Sequence, residues 1–299
     1  MAVFFTDMKQ KIRFFTFILT LFCVFVCGCR DLVEDEFDEF SRIPVVNSIF
    51  TNNHPLEINL SFTGKLNQTK FDFEENAEVL IYQNDIFAER LDYIGEGRYI
   101  SKQTLKKQNK ISCEIDINGY KTMFCTDTIP GQTIVTDITH IKVSGVNDEG
   151  VAYPAVKFTF ESNPDEKQYY EVRIRLLRSY GDRYATLEKI TDPIILNEGI
   201  PLAVFSNELI TDAFYEMTLN YTTGSDDGGG MNLYPLIIEF RSISYNYYQF
   251  RKQYYLYEQG RVPEGISSVT AVFNMHSNIE NGYGIFAGYA SFQSDTIYP

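Results

Sequence analysis

From about residue 43 onward, apolar and polar positions alternate with a period of two. In LEINLSF, Leu56, Ile58, Leu60 and Phe62 fall on one side and polar residues mostly fill the gaps; ISCEIDI repeats the pattern with Ile111, Cys113, Ile115 and Ile117. Successive side chains of a strand point to opposite faces, so this alternation predicts strands with one buried face. Further strands are predicted at VVNSIF (45–50), AEVLIY (77–82) and RYIS (98–101), with turn signals QND, GEG and NG between them. Six or seven short strands within roughly 90 residues predict a β-sandwich of the immunoglobulin-like or transthyretin-like kind.

Pro130-Gly131 interrupts the strand pattern, and a second alternating series begins after Asp137. The chain is therefore expected to divide into a β-sandwich domain over 42–130, a linker over 131–137 and a second β-rich domain over 138–299. Strands of the second domain are predicted at 140–146, 155–162, 169–180, 215–222 and 236–243, followed by SSVTAVF and a glycine-rich end, with GSDDGGGMN (224–232) as a surface loop. One segment departs from the period of two. Ile243, Tyr247, Phe250, Tyr254 and Tyr257 recur at steps of three and four, with Gly260 as a stop and Pro263 beyond it, which predicts a helix over 243–259. That aromatic row is expected to pack on a sheet, and a second row, Tyr245, Tyr248 and Tyr255, is the candidate platform for a ligand or partner. The fold class expected is mainly β, two sandwich-like domains with one aromatic-rich helix in the C-terminal one.

The N-terminus changes where such domains would be placed. A basic cluster (Lys9, Lys11, Arg13) precedes an apolar run from Phe14 to Val26 that is short for a transmembrane helix of about 20 residues, which reads as a secretion signal over 1–28. Val26-Cys27-Gly28-Cys29 resembles a bacterial lipobox, making Cys29 the expected lipidation site. Several acyl chains together would anchor a water-soluble domain firmly. RDLVEDEFDEF follows, with six acidic residues between Asp31 and Glu39, an expected extended tether over 29–41. An acidic run in that position resembles the export signal of Gram-negative lipoproteins that reach the outer face of the outer membrane.

Removal of residues 1–28 leaves 23 basic against 39 acidic side chains, which disfavours nucleic acid as a partner. It also leaves Cys113 and Cys125 beside Cys29. The two flank one turn. A two-residue turn at Asn118-Gly119 places Cys113 opposite Phe124, whereas a three-residue loop over 118–120 places it opposite Cys125 and permits a disulfide.

Catalytic patterns are sparse. His54, His140 and His276 lack metal-ligand spacing, no nucleophile elbow or phosphate-binding loop occurs, and Asp226-Asp227 supplies too few oxygens for calcium. No catalytic residue, metal or cofactor is expected, although acidic residues are numerous enough to keep a carboxylate-dependent hydrolase as an alternative. Gly282, Gly284 and Gly288 in SNIENGYGIFAGYA read G-x-G-x-x-x-G without a following helix. They suit a turn at Asn281-Gly282 and a final strand closely approached by another backbone, not a dinucleotide loop.

Four stretches, IPVVNSIF, INGYKTMFCTDTIPG, NPDEKQYYEV, and SISYNYYQF with SNIENGYGIFAGY, together resemble the bacterial lipoprotein family catalogued as domain-of-unknown-function family 4249. The resemblance implies an outer-membrane lipoprotein, often encoded beside TonB-dependent transporters, with no catalytic residue to carry over. The function expected is a non-enzymatic, surface-exposed lipoprotein acting as a binding or accessory subunit of a TonB-dependent transporter. A structural or adhesive scaffold of a cell-surface complex is the alternative.

Overall fold

A computed structural model describes residues 41–65, 70, 72–223, 232–260 and 275–299. The signal, Cys29, the tether, Asp226-Asp227 and the SSVTAVF strand lie outside the described residues. Arg42–Pro299 forms one compact unit.

In chain order the first half holds β1 (Pro44–Thr51), β2 (Pro55–Phe62), β3 (Glu78–Gln83), β4 (Ile86–Arg90), β5 (Asp92–Gly95), β6 (Arg98–Thr104), β7 (Lys110–Asp116) and β8 (Met123–Thr128). The middle holds β9 (Val135–Val146), β10 (Ala152–Glu161), β11 (Tyr169–Leu176), β12 (Arg183–Tyr184), β13 (Thr186–Leu187), a short helix α1 (Pro193–Glu198) and β14 (Val204–Ser206). Then come β15 (Phe214–Thr222), β16 (Leu236–Ile243), helix α2 (Tyr245–Gly260), β17 (Ile279–Glu280) and β18 (Tyr283–Gln293). The fold is mainly β and sandwich-like, as the alternation predicts.

Among the described residues three sheets carry the architecture: nine strands in the path β12-β11-β16-β18-β1-β2-β6-β5 with β14 alongside β11, four in the order β13-β15-β10-β9, and five in the order β17-β8-β7-β3-β4. One hydrophobic core gathers residues between Val46 and Ile129 and takes Ile279, Phe286 and Ala290 from the C-terminal end; another gathers residues from Val135 to Phe240. The alternation explains both. On one face of the long sheet stand Val46, Phe50, Phe286 and Ala290, and farther along Tyr170, Val172, Ile174 and Phe240, all buried. The five-stranded sheet covers the first stretch and the four-stranded sheet the second.

Within the expected linker 131–137 the chain already enters β9 at Val135, a member of the second core, and the long sheet runs on past both cores. β1 lies parallel to β18, Val46 beside Gly284 and Phe50 beside Gly288, and antiparallel to β2 on its other side. Gly284 is required by this junction: its φ is 118°, and a Cβ there would stand 1.9 Å from the Val46 carbonyl oxygen. A Cβ on Gly288 would meet the Thr128 carbonyl oxygen at 2.7 Å. The close approach expected at these glycines is made by the backbones of β1 and the end of β8. The linker is fastened too, because the Thr133 amide donates to Ser242 Oγ at 3.1 Å.

α1 lies where the periodicity predicts no element. Its cap residues explain it: Asp192 Oδ1 accepts from the Ile194 amide at 2.9 Å, Pro193 opens the first turn, and Gly199 closes it at φ 71°.

Candidate functional site

Helix α2 crosses the other face of the long sheet. Ile243, expected as its first apolar position, is the last residue of β16, and Ser244 caps the helix by accepting the Tyr247 amide at Oγ (3.2 Å) and the Tyr248 amide at its carbonyl (3.0 Å). Ser244 Oγ in turn donates to Asp127 at the end of β8, and Asp127 also accepts the Thr128 and Gly288 amides at 2.8 and 3.1 Å. Burial pushes the Asp127 carboxyl up to about 6 in spite of these donors.

The helix docks through charge as much as through apolar contact. Glu171 and Arg241 face each other across β11 and β16, as do Arg173 and Glu239. This makes a two-by-two lattice of alternating sign on a sheet surface. Glu171, only 2% exposed, accepts the Tyr247 hydroxyl at 2.6 Å, Arg241 Nη1 at 3.2 Å and Arg251 Nε at 2.9 Å. Arg241 sends Nε and Nη2 to Glu239 Oε1 at 2.9 and 2.7 Å, sends Nη1 also to the Tyr247 oxygen at 2.7 Å, and lies over the Tyr289 ring. Burial alone would raise the Glu171 carboxyl, but Arg251, Arg241 and the Tyr247 hydroxyl outweigh it and hold it below the usual range. Burial, followed by the negative charge of Glu171, pushes the Tyr247 hydroxyl upward. The lattice is therefore a locked, ionised network.

α2 covers only part of this face. Beyond it, on β1 and β2, Asn47, Ile49, Glu57 and Asn59 stand open, and Asn47 is directly opposite Asn59. The result is a groove of about 750 Å³ with that shelf as floor, Phe250, Arg251 and Tyr254 as the helical wall, and the charge lattice as the closed end. Phe250 and Tyr254 stack with centroids 5.7 Å apart. Across the helix, Lys252 Nζ and the Tyr248 hydroxyl both reach Glu198 of α1, at 2.7 and 2.6 Å. Burial, reinforced by Glu198, pushes the Tyr248 hydroxyl up to about 12.

The expected division of labour between the two aromatic rows is thereby redrawn. Tyr247 of the first row is buried, yet so is Tyr248 of the second, because Tyr247, Tyr248, Arg251 and Lys252 together form the docked face. Ile243 and Tyr247 are in a buried cluster with Ile285 and Ala287, and Phe250 packs against it as expected while also lining the groove with Tyr254. Tyr245 and Tyr248 do come together with Tyr169, at centroid distances of 5.4 and 4.8 Å, beside a second cleft of about 510 Å³. Tyr255 is half-buried and lines neither space.

Of the other sequence candidates, Cys113 stands directly opposite Cys125, the register of a loop over 118–120, and both are buried free thiols without the permitted bridge. Burial raises the Cys113 thiol well above its ordinary range, and the neighbouring Cys125 adds to the effect. His140 and His276 are spent on Tyr221 and Asn246, each at 2.9 Å. Among the described residues no group of three or more His, Cys, Asp or Glu is gathered to hold a metal ion. Among them also, no helix is long and apolar enough to cross a membrane.

The residues that build the groove, Glu171, Arg173, Glu239, Arg241 and Arg251, were not singled out from sequence. A signal exists: in YYEVRIRL and LIIEFRSI charges occupy every second position of strands that are otherwise apolar, a costly arrangement unless the charges meet each other.

A family model described as "Domain of unknown function (DUF4249)" matches residues 30–295. No curated protein matches the chain. Among solved structures, the crystal structure of a putative membrane anchored protein from Corynebacterium diphtheriae is similar over 69% of this chain at 11% identity and a TM-score of 0.20, and this chain spans 55% of that one.

Proposed function

This chain belongs to the family described as Domain of unknown function (DUF4249), and we propose that it serves as a non-enzymatic, lipid-anchored binding subunit at the outer membrane, facing outward and working beside a TonB-dependent transporter. The observation that carries the binding role is the groove. Its closed end is a set of charges already tied to one another, so the walls need little reorganisation when a ligand enters. A hydrolytic reading asks for a carboxyl free to give up and take back a proton. Glu171 is instead held ionised by two guanidiniums and a tyrosine hydroxyl, an arrangement suited to holding geometry.

The anchor and the partner rest on the lipobox-like VCGC, the acidic stretch behind it and the family resemblance. Affinity capture of the full chain from detergent-solubilised outer membranes is expected to recover a TonB-dependent receptor, and radiolabelled palmitate is expected to enter the wild-type chain but not Cys29→Ala. Capture that recovers no such receptor removes the transporter role, and a freely soluble, unlabelled chain removes the anchor.

A further inference from the structure

Resting on the reading of the groove as a ligand site, we propose that its ligand is an acidic saccharide, a sugar chain whose uronic-acid carboxylate pairs with Arg251 and Arg173. Charge makes the first argument. The closed end assembles three guanidiniums, Arg173, Arg241 and Arg251, against two carboxylates, Glu171 and Glu239. One positive charge is left over inside a chain whose formal net charge is −14. Glu57 on the floor is faced by Arg98 at 3.8 Å, so counting that pair together leaves the same surplus of one positive charge. A single surplus positive charge in a partly desolvated corner matches a carboxylate monoanion better than a phosphate dianion.

Unspent donors make the second. Every nitrogen of Arg241 has a partner, but Arg251 uses only Nε on Glu171, and its two terminal nitrogens meet no acceptor among the described residues. Arg173 stands 3.8 Å from Glu239, too far for a hydrogen bond, with its guanidinium 3.5 Å above the Tyr184 ring. Both side chains are held in place, one by an ion pair and one by stacking, and both keep the paired N–H geometry that recognises a carboxylate.

The floor and wall indicate what carries that carboxylate. Strands β1, β2, β16 and β18 are each paired on both sides, so no free backbone edge is offered to an extended peptide. Recognition falls to side chains: the Asn47 amide and the Asn59 carbonyl oxygen, whose amide nitrogen is held by the Glu96 carbonyl at 3.3 Å, for hydroxyl groups, and the Phe250 and Tyr254 rings for the apolar face of a sugar ring.

The test is calorimetric titration of the full chain in detergent with trigalacturonic acid, its methyl ester, a sugar phosphate and a tripeptide ending in a free carboxylate. The acid is expected to bind at least tenfold more tightly than the ester, which has the same rings and no charge, and to lose at least tenfold in affinity in Arg251→Gln and in Arg173→Gln. Asn47→Ala, on the open shelf, is expected to lose severalfold. Equal binding of acid and ester overturns the proposal, as does no binding of the acid or tighter binding of the tripeptide or sugar phosphate. Comparing acid with ester uses the unaltered protein, so the result stands even where an arginine variant folds poorly. A receptor that co-purifies without any uronate binding removes the ligand class alone, whereas uronate binding without a receptor leaves the ligand class and removes the transporter role.

Discussion

Asp127 shows at the scale of one residue how this fold handles a buried charge. Its carboxyl sits where β8, β18 and the start of α2 meet, accepting from Ser244 and from the Thr128 and Gly288 amides. Burial nevertheless raises it from 3.8 to about 6. A carboxyl raised in the folded state binds its proton more readily there than in the unfolded chain, so its contribution to stability is fullest below about pH 4 and falls as pH rises through about 6, by at most roughly 3 kcal/mol. Asp127→Asn is expected to flatten that part of the profile, measured as the difference between urea unfolding at pH 4.5 and pH 7; an unchanged difference counts against it. Gly284 poses a steric constraint of the same locality. Gly284→Ala drives a methyl group into the Val46 carbonyl at a φ of 118°, and is expected to cost about 3 kcal/mol or more in chemical denaturation, or to prevent folding.

At the scale of the element, α2 is the piece whose sequence and placement diverge. Its period of three to four announces a helix with an aromatic stripe, and a helix it is. Which row faces inward is decided by Glu171 and Glu198, two acids on other elements that draw in Arg251 and Lys252. Tyr247→Phe removes the hydroxyl that donates to Glu171 and accepts from Arg241, while Glu171 keeps both arginines, so a loss of about 1.5–3 kcal/mol is expected. Glu171→Leu is a different experiment. It leaves Arg241 and Arg251 without their shared acid and is expected to cost about 3–5 kcal/mol. A Glu171→Leu protein as stable as Tyr247→Phe would show that water reaches and screens those guanidiniums.

At the scale of the whole molecule, the long sheet makes the two halves depend on each other. The first core borrows Ile279, Phe286 and Ala290 from the last strands, and β1 has β18 along one entire side. A fragment of residues 42–130 therefore loses three core side chains and exposes a row of unpaired backbone groups on β1. It is expected to show no cooperative thermal transition by circular dichroism, whereas residues 42–299 should unfold cooperatively. A sharp transition in the short fragment alone would mean that the shared sheet is dispensable.

What the sequence by itself determined is everything that a local period can encode. LEINLSF, ISCEIDI and LIIEFRSI are strands in the structure because alternation selects a face before any partner is chosen, and the glycines at 284 and 288 announce a close backbone. Even α1 was legible in principle through Asp192, Pro193 and Gly199. Only the tertiary structure decided that the first strand lies beside the last, and that Arg173, Arg241 and Arg251 meet around Glu171 and Glu239 at the end of a groove. Strand partnership depends on long-range packing and chain crossing, which no window of neighbouring residues records. The worth of a buried charge likewise depends on who faces it, and β1, β11, β16 and α2 meet only once the chain has folded.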